Sequence, residues 1–130
     1  MKTLLMIKAA VELGAGLALA WLPVTVTSLL LGSPPGGPAG TVIARFAGAA
    51  LLTLGIACWM ARQESQSSCA AGLIFALLVY DVLIVGILLH ARLELGLLGI
   101  ALWPAVALHT GLAIASLICL GKGRRWQQPA

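Results

Sequence analysis

The chain has 130 residues, of which 61% are hydrophobic and only 9% charged, with a formal net charge of +4. So few charges cannot cover a soluble surface, which places the chain among integral membrane proteins. The positive charge does not point to nucleic acid, because the basic residues are scattered over segment ends with no aromatic-interleaved basic patch.

A membrane-crossing helix needs roughly 20 residues, and the apolar stretches supply four. The first, about 3–22, opens "MKTLLMIKAAVELGAGLALA" and has the look of a signal peptide. Lys8 and Glu12 interrupt its apolar run, so it reads as a retained first helix. Pro23 ends it, and "VTVTSLLLG" follows, too short to span; it reads as a short helix or extended piece lying in the interface. "GSPPGGPAG" is a loop by composition. The second span covers about 41–61, and "RQESQSS" forms a polar connection. The third covers about 71–90, "ARLELG" is a tight turn, the fourth covers about 97–120, and "GKGRRWQQPA" is a polar tail. The expected fold is therefore all-α, a single transmembrane four-helix bundle over 1–130 with no second domain.

Orientation follows from Lys and Arg near the span ends. Lys2, Lys8, Arg62, Lys122, Arg124 and Arg125 fall on one side and Arg92 on the other, which predicts both termini in the cytoplasm. In a bacterium this is the inner membrane. Trp21 and Trp103 then mark the outer interface, Trp59 and Trp126 the inner one.

Four ionisable residues lie within spans: Glu12, Arg45, Asp81 and His109. Asp81 stands in the apolar run "FALLVYDVLIVGILL", where an acid costs about 2.5–3.5 kcal/mol on insertion scales. At about 1.5 Å per residue from the outer helix ends, Asp81 lies roughly 13 Å deep, Glu12 roughly 15 Å and His109 roughly 18 Å. Arg45 starts about 6 Å deep and its side chain reaches about as far again. All four are expected at one level, with Asp81 meeting His109 because the third and fourth spans are joined by a short turn. Plainer roles stand beside this: Glu12 paired with Lys8 one turn away, Arg45 snorkelling to headgroups, and Asp81 with His109 as bundle glue. His90 and His109 differ in depth by about 18 Å and cannot share one haem iron.

The three cysteines, Cys58, Cys69 and Cys119, show no metal or redox spacing. No nucleophile motif, phosphate loop or dinucleotide fingerprint occurs. The sequence thus predicts no enzyme activity, no cofactor and no metal.

"ARFAGAALLTLGIACWMA", preceded by a first helix ending "AWLP" and a Pro-rich loop, resembles small four-helix bacterial membrane proteins of the broad DoxX-like kind. The likeness covers about the first half of the chain, and Arg45 is the residue it carries over. Some of those proteins accompany thiol or quinone redox systems; no cofactor site is visible here to carry that link across. Small multidrug exporters also place a Glu in the first helix, but "VELGAGLAL" lacks their pattern. Two function classes follow. One is an accessory or scaffold subunit docked to another membrane protein, or self-associated, within the lipid bilayer. The other is a proton-coupled carrier of a small ligand, using Glu12, Asp81 and His109.

Overall fold

The computed structural model describes residues 1–125, with side chains described through residue 122. Five helices run in order: α1 (Lys2–Trp21), α2 (Pro23–Leu31), α3 (Gly37–Ala61), α4 (Ser68–Leu93) and α5 (Leu102–Arg125). Four of them are long and apolar enough to cross a membrane, and the chain is a multi-pass membrane protein with an all-α four-helix bundle. Most of each span's surface is outward-facing and apolar, including Phe46, Ile56, Phe75, Leu83, Ile87 and Ile118. In lipid such surface carries no penalty, and the backbone polar groups are satisfied within each helix.

The helices associate as two pairs, α1 with α3 and α4 with α5, and the pairs approach each other only sparsely. The α1/α3 contact is set by glycine. A Cβ built on Gly16 would stand 2.8 Å from the Gly48 carbonyl oxygen, and one on Gly48 would stand 2.7 Å from the Ala20 nitrogen. Near the other end, a Cβ on Gly55 would stand 2.9 Å from the Leu13 nitrogen. The order of these contacts makes the two helices antiparallel, with backbones touching at small residues, the usual device of membrane helix packing. The buried residues of α3 (Ala44, Gly48, Leu51, Gly55 and Cys58) recur every three or four positions and form one stripe.

Proline and glycine set the ends of the short α2. Pro23 occupies its first turn, where the missing N–H costs nothing. Gly32 ends it with φ 77°, the left-handed conformation glycine adopts freely. Nine residues make a helix of about 13 Å, too short to cross. The end of α2 is joined to the connection before α5: the Ala101 N–H donates to the Leu29 carbonyl at 2.8 Å. Gly99 lies so close that a Cβ there would fall 2.1 Å from the Leu29 oxygen. This backbone junction ties the two helix pairs at one end of the bundle.

The structure moves several boundaries. α3 starts at Gly37, inside the stretch expected to be loop, because Pro38 sits in the first turn of a helix as favourably as in a turn. α4 starts at Ser68, where the Ser67 hydroxyl accepts from the Ala70 N–H at 3.1 Å. α5 starts at Leu102 rather than near residue 97, since residues 97–101 are drawn out along α2. Half of the expected "ARLELG" turn, Ala91 to Leu93, is the last turn of α4.

An apolar core fills the half of the bundle nearer the termini. Leu4, Leu5 and Ala9 of α1 pack there with Cys58 of α3, Ala70, Ile74 and Leu77 of α4, and Leu112 of α5. All four long helices contribute, so this layer joins the two pairs. At the same end the Arg62 guanidinium lies 3.5 Å from the centroid of the Trp59 ring and bonds the Trp59 carbonyl. Trp126 lies outside the described residues.

Candidate functional site

The buried face of α1 is Leu4, Leu5, Lys8, Ala9, Glu12 and Gly16. Its spacing puts Lys8 and Glu12 one turn apart on the same inward stripe. Neither reaches the exterior: Lys8 is 0% exposed and Glu12 1%. Asp81, 0% exposed, continues the buried stripe of α4 one turn beyond Leu77 and Leu78. His109 projects from α5 one turn before Leu112 and Ala113.

These side chains form a chain of contacts across the bundle. The Lys8 ammonium donates to Asp81 Oδ2 at 2.5 Å, and His109 Nδ1 lies 2.9 Å from Asp81 Oδ1. Both carboxylate oxygens of Asp81 are thereby engaged. The first contact crosses between the helix pairs, and the second lies within the α4/α5 pair. Tyr80, the neighbour of Asp81, sets its ring edge-on to His109 with centroids 5.9 Å apart.

Glu12 stands within electrostatic range of His109, Asp81 and Lys8, and of Cys58 and Tyr80 around them. Its Oε1 is buried with no hydrogen-bond partner among the described residues. Buried polar atoms are nearly always paired, so a single orphan oxygen in this position calls for a physical reason.

Of the four polar residues singled out in the sequence, three lie at this centre: Glu12, Asp81 and His109. The expected Asp81–His109 contact is present. Arg45 is not part of it. Arg45 sits on the outward face of α3 beside Val42, Ile43 and Phe46, all exposed, and joins no ion pair among the described residues. The buried stripe of α3 takes Ala44 and Gly48 instead, which turns Arg45 outward.

Lys8 is the functional residue that the sequence reading assigned elsewhere, as a charge at the span end. It serves instead as the counter-ion of Asp81, and it does not pair with Glu12. One signal could have found it: Lys8 shares its helix face with Leu4, Leu5, Ala9 and Gly16, the face that must pack. His90 is exposed in the last turn of α4, away from His109.

No group of three or more His, Cys, Asp or Glu side chains able to hold a metal occurs among the described residues. Cys58 is buried, Cys119 half-buried and Cys69 exposed. What the arrangement can do chemically is hold and exchange protons. A buried Asp–Lys pair sets opposite charges side by side, a histidine offers two ring nitrogens that can donate or accept, and a glutamate has an oxygen with no hydrogen-bond partner among the described residues.

The fold and this centre together define a small multi-pass membrane protein with an ion-paired cluster of ionisable side chains inside its bundle. No protein-family model, curated protein or solved structure matches the chain.

Proposed function

We propose that the protein is a proton-coupled carrier of a small ligand, with the Lys8–Asp81–His109 chain and Glu12 as its proton-exchanging centre. The observation that carries this reading is the position of the cluster. Ionisable side chains from three helices and both pairs meet across the seam between the pairs, with Lys8, Glu12 and Asp81 fully buried and His109 nearly so. Charges at membrane depth are costly, and they commonly mark ion and proton pathways. Away from the Ala101–Leu29 backbone junction the pairs meet through side chains, so this is also a place where they could part and close, and protonation changes the charge across it. The orientation with both termini in the cytoplasm of a bacterial inner membrane belongs to the same proposal. So does kinship with DoxX-like proteins, of which Arg45 is the token.

The test is proton flux in proteoliposomes carrying an internal pH indicator. An imposed pH gradient should decay faster than in empty vesicles, and Asp81→Asn should return the decay to the empty-vesicle rate. Decay unchanged by the protein would reject the carrier. Orientation is checked separately at Cys69, which is exposed just inside the start of α4. A membrane-impermeant thiol reagent should leave it unlabelled in intact cells.

One observation favours the second reading, an accessory or scaffold subunit of a larger membrane complex. Arg45 presents a cation on the lipid-facing side of α3, where an acidic group on another subunit would satisfy it. Native co-purification of a second membrane protein, lost in Arg45→Ala, would support that reading. A self-associated form would be seen as a change in oligomer size with the same substitution.

A further inference from the structure

We propose that Glu12, rather than Asp81, carries the exchangeable proton of this cluster, and that His109 is the group through which the proton enters and leaves. The proposal deepens the proton-exchange reading above by assigning the proton to an atom.

Asp81 is the best-satisfied acid in the cluster. Lys8 engages Oδ2 and His109 engages Oδ1, so its charge is met from two helices. Protonating Asp81 would leave the fully buried Lys8 ammonium without its counter-ion, an expensive state at membrane depth. Lys8 and Asp81 therefore stay charged together and cancel.

Glu12 has the opposite surroundings. Its Oε1 is enclosed with no donor, although Lys8 lies one turn away on the same helix. The titratable groups that face it among the described residues are Lys8 on α1, Cys58 on α3, Tyr80 and Asp81 on α4, and His109 on α5. The lone cation among them that is permanent, Lys8, is already committed to Asp81. A neutral carboxylic acid at Glu12 leaves the cluster uncharged, with Lys8 and Asp81 balancing and His109 neutral.

His109 supplies the second neutral arrangement. With its Nδ1–H donated to Asp81, its Nε2 is free to accept. When the Glu12 O–H bond breaks and an Nε2–H bond forms on His109, the electron pair stays on the carboxylate. The charges become two positive and two negative, and the sum is again zero. One proton thus moves between two residues at constant total charge. Asp81 orients the imidazole in both states.

Position in the cluster assigns His109 the outer place. The His109 side chain is 13% exposed, whereas those of Lys8 and Asp81 are 0% exposed. A proton from outside meets His109 first and rests on Glu12.

The composition of the chain makes the test direct. Asp81 is the only aspartate, and the glutamates are Glu12, Glu64 and Glu94. The wild-type protein is prepared in nanodiscs with carboxyl-¹³C aspartate or carboxyl-¹³C glutamate, and infrared difference spectra are recorded across a pH step. The carboxylic-acid C=O band should move with the glutamate label, stay put with the aspartate label, and disappear in Glu12→Gln. A band that moves with the aspartate label, or a glutamate-label spectrum identical in wild type and Glu12→Gln and therefore owed to Glu64 and Glu94, overturns the assignment. His109→Gln should slow the appearance of the Glu12 band after a rapid pH jump by at least about tenfold, the low side of what a positioned acid–base group contributes. An unchanged rate overturns the entry role. The spectra require no transport, so vesicles without proton flux would reject the carrier alone. Flux that persists in Glu12→Gln would reject this assignment and leave the carrier standing.

Discussion

Between α1 and α3 the helices touch backbone to backbone at Gly16, Gly48 and Gly55. Between the two helix pairs the backbones meet at the Ala101–Leu29 junction, an apolar core fills the half nearer the termini, and at the cluster the long Lys8 side chain reaches across to Asp81. The first interface is a rigid, close-packed joint whose strength comes from van der Waals contact. The second adds a charged contact to its apolar packing, and that part of its strength depends on where protons sit. A bundle built this way has one permanent joint and one conditional joint, and Lys8, Asp81 and His109 meet at the conditional one.

The largest effect should come from breaking the charge across the pairs. Lys8→Met or Asp81→Leu, made singly, leaves an unpaired buried ion and should cost about 3–5 kcal/mol in a detergent-denaturation titration. A loss well under 1 kcal/mol would mean that water or lipid headgroups already satisfy the remaining charge.

Gly48→Val attacks the permanent joint. Even the first carbon of the new side chain would stand 2.7 Å from the Ala20 nitrogen, so α1 and α3 must separate. Overpacking of this kind costs about 1–3 kcal/mol. Spin labels on the outward faces of α1 and α3 should report a longer separation, while the Asp81–His109 contact persists.

His109→Gln probes the contact inside the α4/α5 pair. Interhelical hydrogen bonds in membranes average about 0.6 kcal/mol with a maximum of about 1.7 kcal/mol, and the loss should fall in that range. At the small end, Gly86→Ala should be neutral or stabilising by about 0.5–1 kcal/mol, because a Cβ at Gly86 meets nothing within 4 Å. The contrast between Gly86 and Gly48 separates a glycine that a joint needs from one that it does not.

The two joints were unequally legible in the sequence. Hydropathy alone marked four spans, and the Pro23 break with the short run after it marked α2. Boundaries shifted where tertiary contacts decided them. α5 begins late because Ala101 bonds to Leu29 of α2, a pairing between segments 72 positions apart that no local pattern announces. The Asp81–His109 contact was legible because a short connection makes α4 and α5 antiparallel neighbours. Lys8 was misplaced because its position near the chain start favours counting it as an interfacial charge, whereas the packing face of α1 draws it inward. Arg45 erred in the other direction. Depth was estimated from distance along the helix, and depth says nothing about which way around the helix a side chain faces. Without Lys8, the span-end count supporting the cytoplasmic termini falls from six residues to five, still against Arg92 alone.

The central claim, that a buried Lys8–Asp81 pair joins the two halves of the bundle, is tested most directly by a double-mutant cycle. Stabilities of wild type, Lys8→Met, Asp81→Leu and the double variant are measured in one mild detergent at one pH. The pairing predicts that the double variant recovers most of the loss, because two apolar side chains replace a desolvated ion pair that is itself worth little net stability. Losses that add in the double variant would show that the two charges do not meet, and would contradict the account.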